Sequence, residues 1–287
     1  LENLKGNVIF ENSAWRGTAL SGIYNGIPLQ LATSGPANPG GGHNAVIEAS
    51  GNLTSNEIAK LIKKHAASMQ LWIEGRDGIT FADGSSFWNA KLEIPVTTGR
   101  EIREPYLLNM ESDLSGIKID LPQPFGKHKN EKKPIFLGIS FVPQTGMWES
   151  EQRPEENQDL KTNLSGANQG LKLTVKLGDS KIEITDNQGY TATGAISSFK
   201  LTDWLPYFPK YPQKNTETNL SELKFNVTTK EMNILGQTFL NTKVIGKKKY
   251  SDWVLELRNP KANGTVRIPK NPKKKPITLI FENLELS

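Results

Sequence analysis

Catalysis and metal binding draw on a short list of side chains, and this chain offers few of them at useful spacing. Cysteine is absent from all 287 residues, which removes thiol nucleophiles, thiolate-ligated zinc, iron–sulfur clusters and disulfides in one step. The three histidines fall in a glycine-rich stretch (His43), at the end of an expected helix (His65) and among lysines (His128), with no interval that would bring two onto one metal ion. No G-x-S-x-G nucleophile elbow occurs, and Gly40-Gly41-Gly42 is not followed by the Lys-Ser/Thr pair of a phosphate loop. Carboxylates are plentiful but dispersed, so no pair stands out for glycoside hydrolysis. The expectation is a non-enzyme with no metal site and no cofactor.

The formal net charge is +5, from 35 Lys and Arg against 30 Asp and Glu, and the excess is C-terminal. From Lys200 to Ser287 there are 16 basic residues against 8 acidic ones. The densest pieces, Lys247-Lys248-Lys249 and Lys270 with Lys273-Lys274-Lys275, sit beside Gly or Pro and are expected in loops. Such lysines suit solvated turns, protection of strand edges or contact with anionic headgroups. They are not interleaved with aromatics and accompany no recognition helix, so nucleic acid is not an expected partner.

Function must then reside in surfaces, which the strands set. Leu171, Leu173, Val175 and Leu177 alternate with Lys172, Thr174 and Lys176; Leu223, Phe225 and Val227 alternate with Lys224 and Asn226; Ile117, Ile119 and Leu121 alternate with Lys118 and Asp120. Each reads as a strand with one apolar face. Similar runs recur near 4–12, 15–22, 26–33, 44–53, 69–81, 86–96, 133–142, 180–186, 189–198, 231–246, 251–258, 264–268 and 276–286. Asn25-Gly26, Asp77-Gly78, Asp83-Gly84, Gly178-Asp179 and Asn263-Gly264 are expected hairpin turns. The pattern is a long antiparallel meander, mainly β.

Helix is scarce. Thr54-Ser55-Asn56-Glu57 is a capping box opening an apolar stripe at Ile58, Leu61 and Ile62, which predicts a helix to about His65. A shorter one begins near Thr202-Asp203 and carries Trp204 and Leu205 before Pro206. The two helices follow similar Gly-containing strands, near Gly51 and near Gly194, which suggests two repeats over 1–145 and 171–287 joined by a polar loop over 146–170. A second polar stretch, Gly35–Asn44, is also expected as a loop.

About 14–17 strands at ~4.8 Å spacing would make a sheet some 65–80 Å wide, which so little helix cannot cover. Its apolar side either packs on itself as a sandwich or barrel, or curls into an open groove occupied by a ligand with long hydrocarbon chains. Alternation alone leaves both open.

Ser112-Asp113-Leu114-x-Gly116, continuing through Leu121-Pro122-x-Pro124-Phe125-Gly126-Lys127, resembles the SDL-x-G…LP-x-P-x-x-K signature of the YhdP family, the long AsmA-like proteins of Gram-negative envelopes. Further similarity lies in Leu4-x-Gly6 with Gly26-x-Pro28, in Asp203-Trp204-Leu205, and in the closing Trp253–Leu257 and Gly264–Pro269 segments. The resemblance implies a middle piece of a longer protein, a periplasmic portion anchored in the inner membrane through a segment outside this chain. It also implies an elongated meander curled into an open hydrophobic groove that carries phospholipids between inner and outer membrane in outer-membrane biogenesis. The implied partners are phospholipid acyl chains. The apolar sets expected to line such a groove are Ile117, Ile119 and Leu121; Ile135, Leu137 and Ile139; Leu171, Leu173 and Val175; Leu223, Phe225 and Val227; and Trp253, Leu255 and Leu257. Any of them suits a closed core equally, in which case the chain is a structural or protein-binding β-module.

Overall fold

The computed structural model describes residues 2–11, 14–36, 44–58, 60, 81–96, 104–141, 172–186, 190–206, 224–234, 236–249, 252–269 and 274–285. Among them lie sixteen strands, paired in a single open order, and two short helical segments. The expected open meander is what forms. The chain divides into two compact units that interleave along the sequence: unit 1 is Leu1–Leu53, Phe87–Ser112 and Phe136–Leu173, and unit 2 is Thr54–Ser86, Asp113–Ile135 and Thr174–Ser287.

Strands β1 (Glu2–Glu11), β2 (Ala14–Tyr24), β3 (Ile27–Pro36) and β4 (Ala45–Thr54) pair successively and antiparallel. The β2–β3 turn is the expected Asn25-Gly26, with Tyr24 opposite Ile27 and positive φ at both turn residues, as a two-residue hairpin on twisted strands requires. Strand β5 (Ala82–Ile94) pairs antiparallel with β6 (Tyr106–Ser112) through its C-terminal half and with β7 (Ile117–Ile119) through its start. Then follow β8 (Ile135–Phe141), β9 (Lys172–Leu177), β10 (Ser180–Asp186) and β11 (Tyr190–Lys200). Gly178, at φ +54, turns β9 into β10 as expected.

The meander has one departure. After β11 the chain enters a helix, and β12 (Lys224–Ile234) lies parallel to β11 rather than antiparallel. Parallel neighbours need a crossover connection, and the helical segment lies on it. From there β13 (Gln237–Lys249), β14 (Asp252–Arg258), β15 (Ala262–Ile268) and β16 (Thr278–Leu284) pair antiparallel in sequence order.

Helix α1 begins after Thr54 (residues 55–58). Its capping box forms: the Thr54 N–H donates to Glu57 Oε2 at 2.7 Å and the Glu57 N–H donates to Thr54 Oγ1 at 3.2 Å. The Thr54 N–H holds the Glu57 carboxyl below the usual glutamate range. Helix α2 is Leu201–Trp204 and closes with the Leu205 N–H on the Leu201 carbonyl.

Several sequence expectations need correction. Asp83-Gly84 lies inside β5 and Asn263-Gly264 inside β15, so neither is a turn. Both glycines are there for close backbone approach: a Cβ on Gly84 would stand 2.1 Å from the Gly116 carbonyl oxygen, and one on Gly264 2.3 Å from that of Ile280. The turn between β14 and β15 is Asn259-Pro260-Lys261, held by the Ala262 N–H on the Asn259 carbonyl. The run 231–246 is two strands, divided where Ile234 pairs with Gln237 and Gly236 takes φ +86. Lys247-Lys248-Lys249 ends β13 instead of forming a loop, opposite Val254, Trp253 and Asp252. Strand β6 was not expected. Residues 69–80, Asp77-Gly78, most of Gly35–Asn44 and Glu149–Gly170 lie outside the described residues.

The deepest core belongs to unit 2. Met232, Ile234, Phe239, Val244, Leu255, Leu257, Val266 and Ile268 form one buried cluster, with Leu201 of α2 packed into it.

Candidate functional site

In unit 1 the alternation of β5 and β6 separates two chemistries. Ala90 pairs with Met110 and Leu92 with Leu108, which puts these four on one face; Asn89 pairs with Glu111 and Lys91 with Asn109, which puts those on the other. Tyr106 shares the parity of Leu108 and Met110, and its ring meets that of Phe141 with centroids 5.4 Å apart. Phe141 shares the parity of Leu137 and Ile139, so β8 adds these to the same apolar face. Phe136, of opposite parity, lines a hollow of about 630 Å³ with Gln30, Glu48, Lys91, Asn109 and Glu111, among others. One side is oily and the other mixed, its polar groups standing among Ala32, Phe87, Leu107 and Phe136.

The apolar side is only partly covered. Leu92, Tyr106, Leu108, Met110, Leu137, Ile139 and Phe141 are each half-buried, whereas Leu20, Ile27 and Leu31 of β2 and β3 are buried. Of the expected lining residues, Leu137 and Ile139 belong to this strip, while Ile135, half-buried at the start of β8, falls in unit 2. Leu92, Tyr106, Leu108, Met110 and Phe141 extend it beyond the expected set. The signal for β6 was present, since Tyr106, Leu108 and Met110 alternate with Leu107, Asn109 and Glu111, but the apolar Leu107 on the wrong parity blurs it.

In unit 2 Phe225, Val227, Trp253, Leu255 and Leu257 share one face and differ in depth. Leu255 and Leu257 are 1% exposed, inside the core cluster, while Phe225, Val227 and Trp253 pack against that cluster and remain half-buried. The Phe225 and Trp253 rings lie 5.7 Å apart. Phe225 stands over Gly246, where any Cβ would fall within 1.9 Å of its ring. Ile117 is buried opposite Gly84, Ile119 is half-buried opposite Ala82, and Leu121 is half-buried in the loop beyond. Leu173 is buried and Val175 half-buried on β9. Leu171 and Leu223 lie outside the described residues.

The Ser112–Lys127 stretch folds into a loop organised by one buried lysine. Lys127 is 4% exposed, and its ammonium donates to the carbonyls of Leu114 and His128, both at 2.9 Å, and of Ile117. Three protons meet three acceptors, so the charge is solvated by backbone. Its backbone also pairs reciprocally with Ile119, at 2.9 and 3.0 Å. Burial pushes the Lys127 ammonium below the usual lysine range, against the pull of the Glu131 and Asp113 carboxylates. Lys133 does similar work at Pro124 and Gly126, whose carbonyls accept from its ammonium.

The remaining signature residues complete that loop. The Asp113 carboxylate accepts from the Ser115 N–H at 2.8 Å and lies 3.5 Å from the Lys132 ammonium, which hold it below the usual carboxylate range. Leu114 takes φ +53 and is buried; Gly116 takes φ +90, where a Cβ would stand 2.4 Å from the Ser85 carbonyl oxygen. Pro122 accepts from the Phe125 and Gly126 N–H groups, and the Gln123–Pro124 peptide is cis. Ser112 ends β6. Trp204 of α2 closes the arrangement. Its indole N–H donates to the Gln123 carbonyl at 3.2 Å, its ring meets Phe125 edge-on at 5.8 Å, and it stacks on Phe199 at 6.1 Å. The signature thus builds a bracket between loop and helix.

A family model described as YhdP protein matches residues 1–287, the whole of the chain. The chain belongs to the YhdP family. No curated protein and no solved structure matches it. As a YhdP-family chain it is an AsmA-like, envelope-associated protein. Among the described residues no helix is long and apolar enough to cross a membrane, and no cluster of His, Cys, Asp and Glu could hold a metal ion. His128 is exposed, its N–H donating to Glu131 Oε2; His43 and His65 lie outside the described residues.

Proposed function

We propose that this YhdP-family chain is a non-catalytic, periplasmic segment of a lipid-transfer protein, with phospholipid acyl chains resting on its half-buried apolar strip. The observation that carries the reading is the strip of Leu92, Leu108, Met110, Leu137 and Ile139 in unit 1, apolar and half-buried on a sheet face. Each acyl CH₂ moved from water onto such a surface gains up to about 0.8 kcal/mol. The contacts are non-directional, so a chain slides along the strip without losing a specific bond at each step, while the headgroup stays in water. A segment beyond this chain would anchor the protein in the inner membrane and direct phospholipid towards the outer one.

A second reading, a structural β-module with a closed core, is favoured by the complete burial of Leu255, Leu257, Val266 and Ile268 in unit 2. Mass spectrometry of organic extracts from the purified protein separates the two. Co-purifying phospholipid, lost in Leu108→Asp/Leu137→Asp with the circular dichroism spectrum retained, supports transfer. Lipid-free wild-type protein that also takes up none from phosphatidylethanolamine vesicles supports the closed module.

A further inference from the structure

Two Asn-Gly dipeptides, Asn25-Gly26 and Asn263-Gly264, carry the same intrinsic chemistry. The glycine nitrogen can attack Cγ of the preceding carboxamide, because glycine has no Cβ to hinder the approach, and asparagine is thermolabile for this reason. The fold treats the two sites in opposite ways. Asn25 and Gly26 are both exposed, and they are the two loop residues of the β2–β3 hairpin, closed by Tyr24 opposite Ile27. Residues of such a loop stand outside the ladder, so strand pairing does not hold the Gly26 nitrogen. Nothing lies within 4 Å of the point where a Cβ would stand on Gly26, so the backbone there has room to turn. Gly264, by contrast, is buried in β15 and paired on both sides, with Leu257 of β14 and Phe281 of β16. A Cβ on it would stand 2.3 Å from the Ile280 carbonyl oxygen, and Asn263 Oδ1 accepts from the Asn259 N–H at 3.1 Å. Ring closure at Asn263 requires β15 to open first.

We propose that Asn25 is a site of spontaneous covalent modification, converted by water to aspartate and isoaspartate, while its strand protects Asn263. The Gly26 nitrogen loses its proton to base and bonds to Asn25 Cγ; the Cγ–Nδ2 bond breaks, and the leaving nitrogen takes up a proton and departs as ammonia. Water then opens the five-membered imide. Breaking the new Cγ–N bond gives aspartate, and breaking the original peptide bond gives isoaspartate, whose backbone runs through Cβ and is one carbon longer. Either product adds a negative charge at the turn. Isoaspartate also disturbs the hairpin, because a two-residue loop with positive φ at both positions closes only over ordinary peptide linkages. Ile27, the next residue, is 3% exposed, so the strain reaches a buried position of unit 1.

The test ages the full chain in mildly alkaline buffer, native and in urea, and follows the amide-to-acid mass shift at each asparagine by peptide mapping. Urea gives the intrinsic rate of each site. In the native protein Asn25 should convert at least about tenfold faster than Asn263, which reacts only through local opening of β15. Equal native rates, or an Asn25 that stays intact in the native protein while converting in urea, overturn the inference. Asn25→Asp carries the new charge without the longer backbone and so separates the two effects. Hydrogen exchange over Leu20–Leu31 should be severalfold faster in the aged, isoaspartate-containing protein than in Asn25→Asp. Equal exchange in the two overturns the disturbance of the hairpin.

Discussion

Without the ammonium of Lys127, the carbonyl oxygens of Leu114, Ile117 and His128 would lose their common donor, and Leu114 and His128 would each keep another, the Ile117 and Glu131 N–H groups, both at 3.1 Å. Orphaned buried acceptors cost about 1–3 kcal/mol each before relaxation. Lys127→Met, which keeps the length of the stem, should therefore destabilise the protein by about 1–3 kcal/mol in urea unfolding. The pH dependence has a definite sign. Because burial sets the folded-state pKa of Lys127 below its unfolded value, the unfolded chain holds the extra proton between the two. Stability from this residue accordingly rises with pH across that alkaline interval, having been lower throughout the range below the folded value. The gap in unfolding free energy between wild type and Lys127→Met should widen over the same interval; a constant gap would show that Lys127 is not buried as described. The signature lysine is thus a scaffold residue, and a sequence reading that sees only a conspicuous lysine in a polar loop has no means of knowing that three carbonyls converge on it.

At the scale of elements, α1 offers a direct check on capping. Thr54→Ala removes the hydroxyl that accepts the Glu57 N–H and should cost about 1 kcal/mol at neutral pH. Since the Thr54 N–H lowers the Glu57 pKa, the Glu57 half of the box is fully present above the ordinary glutamate value and is lost as pH falls through the folded one. Glu57→Ala should therefore destabilise at pH 7 and approach wild-type stability in acid, read by denaturant titration at the two pH values. A second check concerns Gly84→Ala, which must resolve a 2.1 Å approach to a carbonyl oxygen at φ +113 and should cost more than 2 kcal/mol, about twice an ordinary strand-interior substitution. These elements also mark what local sequence conveys. The capping box and the Asn25-Gly26 turn were legible because their chemistry is complete within four residues. Asp83-Gly84 and Asn263-Gly264 carry the same turn signal, yet their glycines answer to distant backbone at Gly116 and Ile280. Only the fold reveals that demand. Likewise nothing local announces that β12 runs parallel to β11, because the pairing partner is chosen across the crossover and not beside it.

For the whole molecule, the same two-residue alternation serves two ends, and the difference lies in what covers the apolar side. In unit 2 the face of β12–β15 is sealed around Met232, Leu255, Leu257 and Val266, with Leu201 of α2 packed in. In unit 1 the face carrying Leu92, Leu108, Leu137 and Ile139 stays half-exposed. The sequence supplied the parity of both faces, including the alternations that gave Leu137 and Leu257, but parity says only which side a residue is on. Burial depends on residues far along the chain, so Leu137 and Leu257 looked equivalent. Their aspartate variants should behave differently. Leu257→Asp buries a carboxylate in a closed core and should unfold the protein or cost more than about 4 kcal/mol. Leu137→Asp leaves its carboxylate within reach of water and should cost less than about 2 kcal/mol, with far-UV circular dichroism unchanged. If lipid transfer is the function, Leu137→Asp should nevertheless lower the phospholipid recovered from the purified protein severalfold, since a charge in the strip repels the chains that rest there. Equal destabilisation by the two variants would mean that the strip in unit 1 is a sealed core after all, and the surface on which the functional reading depends would not exist.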